Sequence, residues 1–227
     1  MLGVQSSLMT EPSAHYPNRA AMWADLVVHI VGLVFAVVGG AILLGLAFGL
    51  GPLRHAASVS VYVIGLITML ALSTAYNFAK SRWRPLLRRL DHAGIFVMIA
   101  GSYTPFTTTA LHGGWAMGMT AAVWALAGLG VVGKLLLPGL GKGLWIGLYL
   151  ALGWLVLAAI KPLIDGLSWV PLLLLALGGL VYSTGVIFYV RKRLKFRRAI
   201  WHGHVVGGSI LHYVAVLVGV VLVRGAG

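Results

Sequence analysis

The chain consists mainly of long apolar stretches, and these constrain its fold more than any other feature. A helix that crosses the hydrocarbon core of a bilayer needs about 20 mainly apolar residues. Seven stretches reach about that length, and turn-forming pairs such as Gly51-Pro52 and Lys161-Pro162 separate several of them. They cover roughly residues 25–49, 59–79, 91–111, 115–133, 143–160, 169–190 and 202–223. The sequence therefore predicts an all-α bundle of seven transmembrane helices, the fifth being the shortest.

The composition excludes an ordinary soluble domain. Of the 227 residues, 60% are hydrophobic and only 9% are charged, whereas soluble domains carry about 25% charged residues. The chain has no cysteine, which excludes disulfides, thiolate metal sites and a cysteine nucleophile. Residues 1–20 are polar and lack the basic start of a signal peptide. We predict that they form a flexible tail ahead of a transmembrane domain at 21–227.

The distribution of basic residues predicts the orientation in the membrane. Of the 17 Lys and Arg residues, all but Arg54, Lys161 and Arg224 fall on one side of a seven-helix arrangement. An excess of Lys and Arg marks the cytoplasmic side, so the N-terminus is predicted inside and the C-terminus outside. The net charge of +13 is thus typical of loops that face anionic lipid headgroups. We expect membrane lipids as partners and no nucleic acid.

Polar residues within a membrane bundle are costly and often functional. Ser73 and Asn77 are four residues apart near the end of the second predicted helix, so they share one face. Arg198 and His202 have the same spacing at the start of the seventh, and Asp91 opens the third. All three helix ends lie at one depth on the cytoplasmic side. We therefore predict that these five residues converge on one site.

Simpler roles remain open for several of the polar residues. Asp91 could serve only as an acid at a helix N-terminus, where the helix dipole favours it. His92 could be an interfacial residue, and His29 and His212 could simply form hydrogen bonds between helices. The basic run at 191–198 could be a loop that faces the lipid headgroups.

Several motifs resemble the hemolysin III family, and they occur in the family's order. The second-helix motif is similar to residues 73–77, and the third-helix signature to residues 90–106. Residues 178–189 and 199–212 resemble the sixth and seventh helices, and His29 with Gly32 resembles a first-helix motif. The resemblance extends over nearly the whole chain after residue 20. It places the chain beside the progestin and adipoQ receptors and, more distantly, the alkaline ceramidases.

The resemblance implies a zinc ion near the cytoplasmic side, held by one histidine of the second helix and two of the seventh. It also implies that Asp91 orients a zinc-bound water and that Ser73 lies beside it. In this chain, however, Asn77 and Arg198 occupy two of the three histidine positions, and only His202 remains. Zinc needs about three or four N, O or S ligands, and an arginine repels a dication. We therefore predict that the family's zinc site is lost.

Two substitutes for the lost metal follow from the same residues. Arg198 could pair with Asp91 and fill the space of the positive metal, which would fix the local geometry. A different metal site could instead form from Asp91, His92, His202 and His204, although their spacing does not put all four on one face.

Two functional hypotheses remain. The first is a non-catalytic or signalling, lipid-responsive member of the family in a bacterial cytoplasmic membrane, with a lipid-like ligand and no cofactor. The second is a zinc-dependent hydrolase of ceramide-like amides, with Ser73 and Asp91 as catalytic candidates and His202 as a metal ligand. A serine hydrolase would need a nucleophile elbow, and a transporter would need more buried acids. Cytolysis is implied only by the family's name.

Overall fold

The structure, a computed structural model, describes residues 15–137 and 139–223. Within these ranges, all regular secondary structure is helical. The Asn18 side chain caps the first helix, because its oxygen accepts a hydrogen bond from the Ala21 amide at 2.9 Å. The long helices are α1 Arg19–Leu50, α2 Leu53–Phe78, α3 Arg84–Thr109, α4 Gly113–Leu136, α5 Lys142–Gly166, α6 Trp169–Val190 and α7 Arg197–Val221.

Six of these helices are long and apolar enough to cross a membrane, and α3 is the exception. Its first third carries several charges, including Arg84, Arg88 and Asp91. It nevertheless packs between α2 and α4, with Phe96 buried. A Cβ atom on Gly101 would lie 3.3 Å from the Val61 carbonyl oxygen of α2, so these backbones approach closely. The all-helical class is confirmed, and the count of seven spans stays a prediction.

Helix α5 extends past Lys161 and Pro162, where the sequence predicted a break between two helices. The chain turns into a 3₁₀ segment at Leu155–Ala159 and resumes as an α-helix at Ile160–Gly166. The predicted break at Lys161-Pro162 is therefore wrong. Pro162 lies in the first turn of the second segment, where its missing amide proton is not needed. The predicted break at Gly51-Pro52 is confirmed, because it separates α1 from α2.

The contact between Gly130 of α4 and the buried Phe96 ring allows the helix packing to be tested by substitution. A Cβ atom on Gly130 would lie 2.5 to 2.6 Å from three atoms of that ring, whereas nothing lies within 4 Å of one on Gly128. We expect Gly130→Ala to lower the free energy of unfolding by about 1–3 kcal/mol through overpacking. Gly128→Ala, two residues away on α4, should be neutral or stabilising by up to about 1 kcal/mol. Thermal unfolding in detergent measures both, and equal effects would contradict this packing.

Candidate functional site: a polar centre at one end of the bundle

The Asp25 carboxylate is the hub of a polar centre where the start of α1, the end of α2 and the start of α7 meet. Its side chain is 0% exposed. One oxygen, Oδ1, accepts a hydrogen bond from His202 Nδ1 at 2.6 Å. The other, Oδ2, accepts one from the Tyr16 hydroxyl, also at 2.6 Å. Both oxygens therefore have strong donors, as a buried carboxylate requires.

His29 lies one helical turn after Asp25 and extends the centre towards α2. Its Nδ1 atom donates to the Asp25 backbone carbonyl at 2.8 Å. In the neutral ring Nε2 is then an acceptor, and it lies 3.4 Å from the Ser73 hydroxyl. The rings of His29 and His202 are 4.4 Å apart between their centroids. Two imidazoles and one carboxylate thus lie side by side in a buried space.

Arg198 enters the same centre one turn before His202. Its Nη1 atom donates to Asn77 Oδ1 at 2.9 Å, and its Nη2 atom lies 3.2 Å from His15 Nδ1. His15 Nε2 lies 3.1 Å from the same Asn77 oxygen. Asn77 in turn donates to the Ser73 backbone carbonyl at 2.9 Å. Because arginine only donates, His15 Nδ1 must be the acceptor and Nε2 the protonated nitrogen.

The polar centre shifts the pKa values of His15 and Tyr16, the two residues just before α1. Burial and the positive charge of Arg198 lower the pKa of His15 to about 4, which keeps the ring neutral at physiological pH. Burial and the hydrogen bond to Asp25 raise the pKa of Tyr16 above its usual range, so Tyr16 remains a donor. Among the residues that the structure describes, no carboxylate lies within 4.0 Å of the Arg198 guanidinium.

Four of the five residues predicted to converge lie in this centre, namely Ser73, Asn77, Arg198 and His202. Asp91 does not join their hydrogen bonds. Its Oδ2 atom lies 3.3 Å from His92 Nδ1, in a separate pair. The predicted pair between Arg198 and Asp91 is therefore wrong, because Arg198 uses the neutral Asn77 and His15 as its partners. The catalytic roles suggested for Ser73 and Asp91 stay predictions.

Asp25, His29 and His202 form a group that could hold a metal ion. Their potential ligand atoms all lie within 4.8 Å of one another, and two imidazoles with one carboxylate are a common donor set for zinc. This group differs from the three-histidine set that the resemblance implied and from the alternative set suggested by the sequence. The alternative set with His92 and His204 is not formed, since His204 bonds to the Ile200 carbonyl at 2.7 Å instead.

The three-histidine set that the resemblance implied is likewise not met, because Asn77 and Arg198 occupy two of its positions. Within the group of Asp25, His29 and His202, both histidines form hydrogen bonds with Asp25, His202 with its carboxylate and His29 with its backbone carbonyl. Two ligand atoms on one tetrahedral zinc lie about 3.3 Å apart, given bonds of about 2.0 Å. Asp25 Oδ1 and His202 Nδ1 are only 2.6 Å apart, which is the spacing of a hydrogen bond. A metal bound to both of these atoms would have to break that bond.

Three members of the centre were missed by the sequence analysis. Asp25 was taken only as the first residue of a span, and His15 and Tyr16 as part of the tail. The pair Asp25 and His29 does carry a signal, because residues four apart share a helix face. No comparable signal marks His15 and Tyr16, whose contacts depend on how the chain enters α1. The rest of the predicted tail, residues 1–14, lies outside the described residues.

Comparison with known proteins identifies the family. The family described as "Haemolysin-III related" matches residues 23–213. This chain belongs to the hemolysin III family. With six helices able to cross a membrane, it is an integral membrane protein, as the resemblance implied.

Relatives in the family span most of this chain. It is similar to "Hemolysin-3 homolog" of Bacillus subtilis (strain 168), with 33% identity over 86% of this chain and 92% of the relative. "Hemolysin-3" of Bacillus cereus is 32% identical over 86% of this chain and 89% of the relative. "Heptahelical transmembrane protein ADIPOR2" of Oryza sativa subsp. japonica is 33% identical over 69% of this chain and 79% of the relative.

Proposed function

We propose that this hemolysin III protein is a non-hydrolytic, lipid-responsive protein whose polar centre accepts the anionic headgroup of a membrane lipid without a metal. In this proposal α3 crosses the membrane with the other six helices, the N-terminus is inside and the C-terminus outside. The excess of Lys and Arg on one side supports the orientation. The name of the heptahelical relative supports the count of seven.

The observation that carries the proposal is the charge of Arg198. Its guanidinium is held by two neutral groups, the Asn77 amide oxygen and the His15 ring. Neither partner neutralises the charge, and a guanidinium has five N–H donors in all. Donors that remain are suited to a phosphate or carboxylate, which arginine binds through two parallel hydrogen bonds. An anionic group is the ligand that would complete this arrangement.

A small cavity next to Arg198 supplies the space for such a group. Its volume is about 160 Å³, and Tyr16 forms part of its wall. The basic residues that line it are Lys192, Arg193, Lys195, Arg197 and Arg198, and no acidic residue lines it. The summed field of these charges attracts an anion and raises its local concentration. The position beside a predicted cytoplasmic loop fits a lipid headgroup of the inner leaflet.

The same residues argue for a metal-free centre. The Asp25 carboxylate already accepts hydrogen bonds from His202 and Tyr16. Arg198 lies one turn before His202, so a fixed positive charge stands close to the space that a dication would occupy. Without a bound metal, a water molecule in this site would not be acidified towards neutral pH. Amide hydrolysis by a zinc-bound hydroxide is therefore not expected.

A metal-dependent lipid amide hydrolase is the second candidate. One observation favours it, namely the closeness of the ligand atoms of Asp25, His29 and His202. If a metal entered, these three side chains would hold it and Ser73 would lie beside His29. A metal in this position would supply Lewis acidity. The metal content of the purified parent protein, and its loss in Asp25→Ala, decide between the two candidates.

We expect short-chain phosphatidylglycerol to stabilise the protein through Arg198. At ten times its dissociation constant, such a ligand should raise the melting temperature in detergent by about 3–6 °C. Phosphatidylcholine of the same chain length should have no such effect. Arg198→Gln should remove most of the shift, and Arg198→Lys should keep part of it. Arg191→Gln is the matched control, since Arg191 is in the same loop but outside the cavity wall.

The comparison of variants separates a specific site from general attraction. If Arg191→Gln and Arg198→Gln reduce the shift equally, the attraction belongs to the whole basic loop. If both lipids stabilise the parent equally, the headgroup is not recognised. Either result would contradict an anion site at Arg198.

A further inference from the structure

A second cavity lies far from the polar centre and is independent of the function proposed for it. We call it the distal cavity and define it by the lining residues Tyr103, Trp154, Leu163, Leu175 and His212. His212 is ten residues after His202 on α7, which places it about 15 Å further along the helix. The cavity has a volume of about 360 Å³, within the usual range of about 300–1,000 Å³ for small-molecule sites.

The 3₁₀ segment Leu155–Ala159, which interrupts α5, forms one wall of the distal cavity. The Tyr103 hydroxyl of α3 lies 2.8 Å from the Gly153 carbonyl oxygen and 3.0 Å from the Leu152 carbonyl oxygen, and it accepts a hydrogen bond from the Val156 amide at 2.8 Å. In a continuous α-helix the Val156 amide would donate to the Leu152 carbonyl. Tyr103 thus inserts into the helical ladder, where it takes the Val156 amide proton and donates its own proton to the carbonyl groups of Leu152 and Gly153. Irregular backbone at membrane depth is tolerated where it is buried or lines a cavity.

The polar side chains of the wall are satisfied within the protein, with one exception. Trp154 Nε1 donates to Ser183 Oγ at 3.0 Å, and the hydroxyls of Ser102 and Thr107 donate to backbone carbonyls. Neither ring nitrogen of His212 has a partner among the described residues, although both are shielded from solvent. The Leu175 carbonyl lies near the ring, outside hydrogen-bond geometry. A buried polar group without a partner is costly.

The composition of the wall determines what could fill the cavity. Almost all of it is apolar, and no Lys, Arg, Asp or Glu lines it, so a charged headgroup would lose its hydration without compensation. Leu157, Ile164 and Leu173 line the cavity and are also exposed on the outer surface of the bundle. The cavity is therefore accessible from the surrounding lipid, between α5 and α6.

We infer that the distal cavity binds a neutral single-chain lipid whose hydroxyl group forms a hydrogen bond with the unpartnered ring of His212. The hydrocarbon chain would occupy the apolar space along Leu163 and Leu175. The hydroxyl can donate to one imidazole nitrogen or accept from the other. One ligand thus satisfies the one unsatisfied polar side chain of this wall.

The test uses dodecanol that carries a diazirine in the middle of its chain. We expect light-induced labelling of the full-length protein in detergent to be saturable, to map to residues 153–164 and 172–179, and to be displaced by excess dodecanol. Dodecane, which lacks the hydroxyl, should compete about five- to tenfold less well, as expected for one hydrogen bond. His212→Phe should weaken binding of the alcohol by the same factor and remove its advantage over dodecane.

Three further variants make the result decisive. Ala176→Phe should abolish the saturable labelling, because the ring would fill the cavity that Ala176 lines. His204→Phe is the matched control on α7, because His204 bonds to Ile200 outside this cavity. Trp154→Phe should keep binding, since the indole hydrogen bond is directed to Ser183 rather than to the ligand.

Three outcomes would overturn the inference. Equal competition by dodecane and dodecanol would show that His212 recognises no hydroxyl. Labelling that does not saturate, or that spreads evenly over exposed helices, would show partition into the micelle only. A loss of melting temperature in His212→Phe without any change in labelling would assign the ring a structural role instead.

Discussion

Replacement of Asp25 by alanine is expected to destabilise the protein by about 3–5 kcal/mol, the usual range when one partner of a buried polar pair is removed. The carboxylate is fully buried and accepts hydrogen bonds from His202 and Tyr16. Without it, the His202 and Tyr16 donors lose their acceptor, and a cavity forms beside His29. Unfolding in detergent, followed by circular dichroism against temperature or denaturant, measures the loss.

Asp165→Ala provides the matched control for this prediction. Asp165 pairs with Lys161 at 2.9 Å, but the two side chains are 61% and 85% exposed. Exposed ion pairs contribute about 0–1 kcal/mol, so this variant should melt within a few degrees of the parent. Asp25→Asn should fall between the two, because the amide keeps an acceptor for one donor. An Asp25→Ala variant no less stable than Asp165→Ala would show that the carboxylate does not hold the centre together.

The double variant Asn77→His/Arg198→His is expected to take up about one zinc ion per chain, whereas the parent should purify with at most traces. Asn77 and Arg198 are hydrogen-bonded to each other, and Arg198 is one turn before His202. Histidines at both positions would therefore bring three imidazoles together, enough for zinc with an open position. Metal content by mass spectrometry, with and without prior chelation, measures the uptake. Bound zinc should also raise the melting temperature.

Adding His202→Ala to the double variant should abolish zinc uptake, which ties the metal to this set of residues. If the double variant binds no zinc, the position of the family's site is not preserved in this chain. If the parent already holds stoichiometric zinc and Asp25→Ala removes it, the metal lies on Asp25, His29 and His202. The hydrolase would then become the leading function, and the metal-free centre proposed here would be wrong.

Spacing along the helices and predicted depth were sufficient to group four of the polar residues. Ser73 with Asn77, and Arg198 with His202, are each four residues apart near helix ends that are predicted to lie at one depth. The structure places all four in the polar centre. Spacing and depth were not sufficient for Asp91, which is predicted to lie at the same depth but does not share the hydrogen bonds. Depth gives only the position of a residue along the membrane normal. The direction in which its side chain points depends on the rotation of α3 about its own axis.

The sequence by itself determined the membrane class, the apolar helices, the family and the end of the bundle at which polar groups gather. These are one-dimensional properties, because transfer into a bilayer depends on hydrophobicity summed along a segment. The tertiary structure alone decided that Asp25, His15 and Tyr16 complete the centre and that Tyr103 opens α5 beside His212. In lipid, the faces that pack and the faces that contact the bilayer are both apolar. The helical periodicity therefore leaves the rotation of each helix undetermined, and only packing between helices selects it.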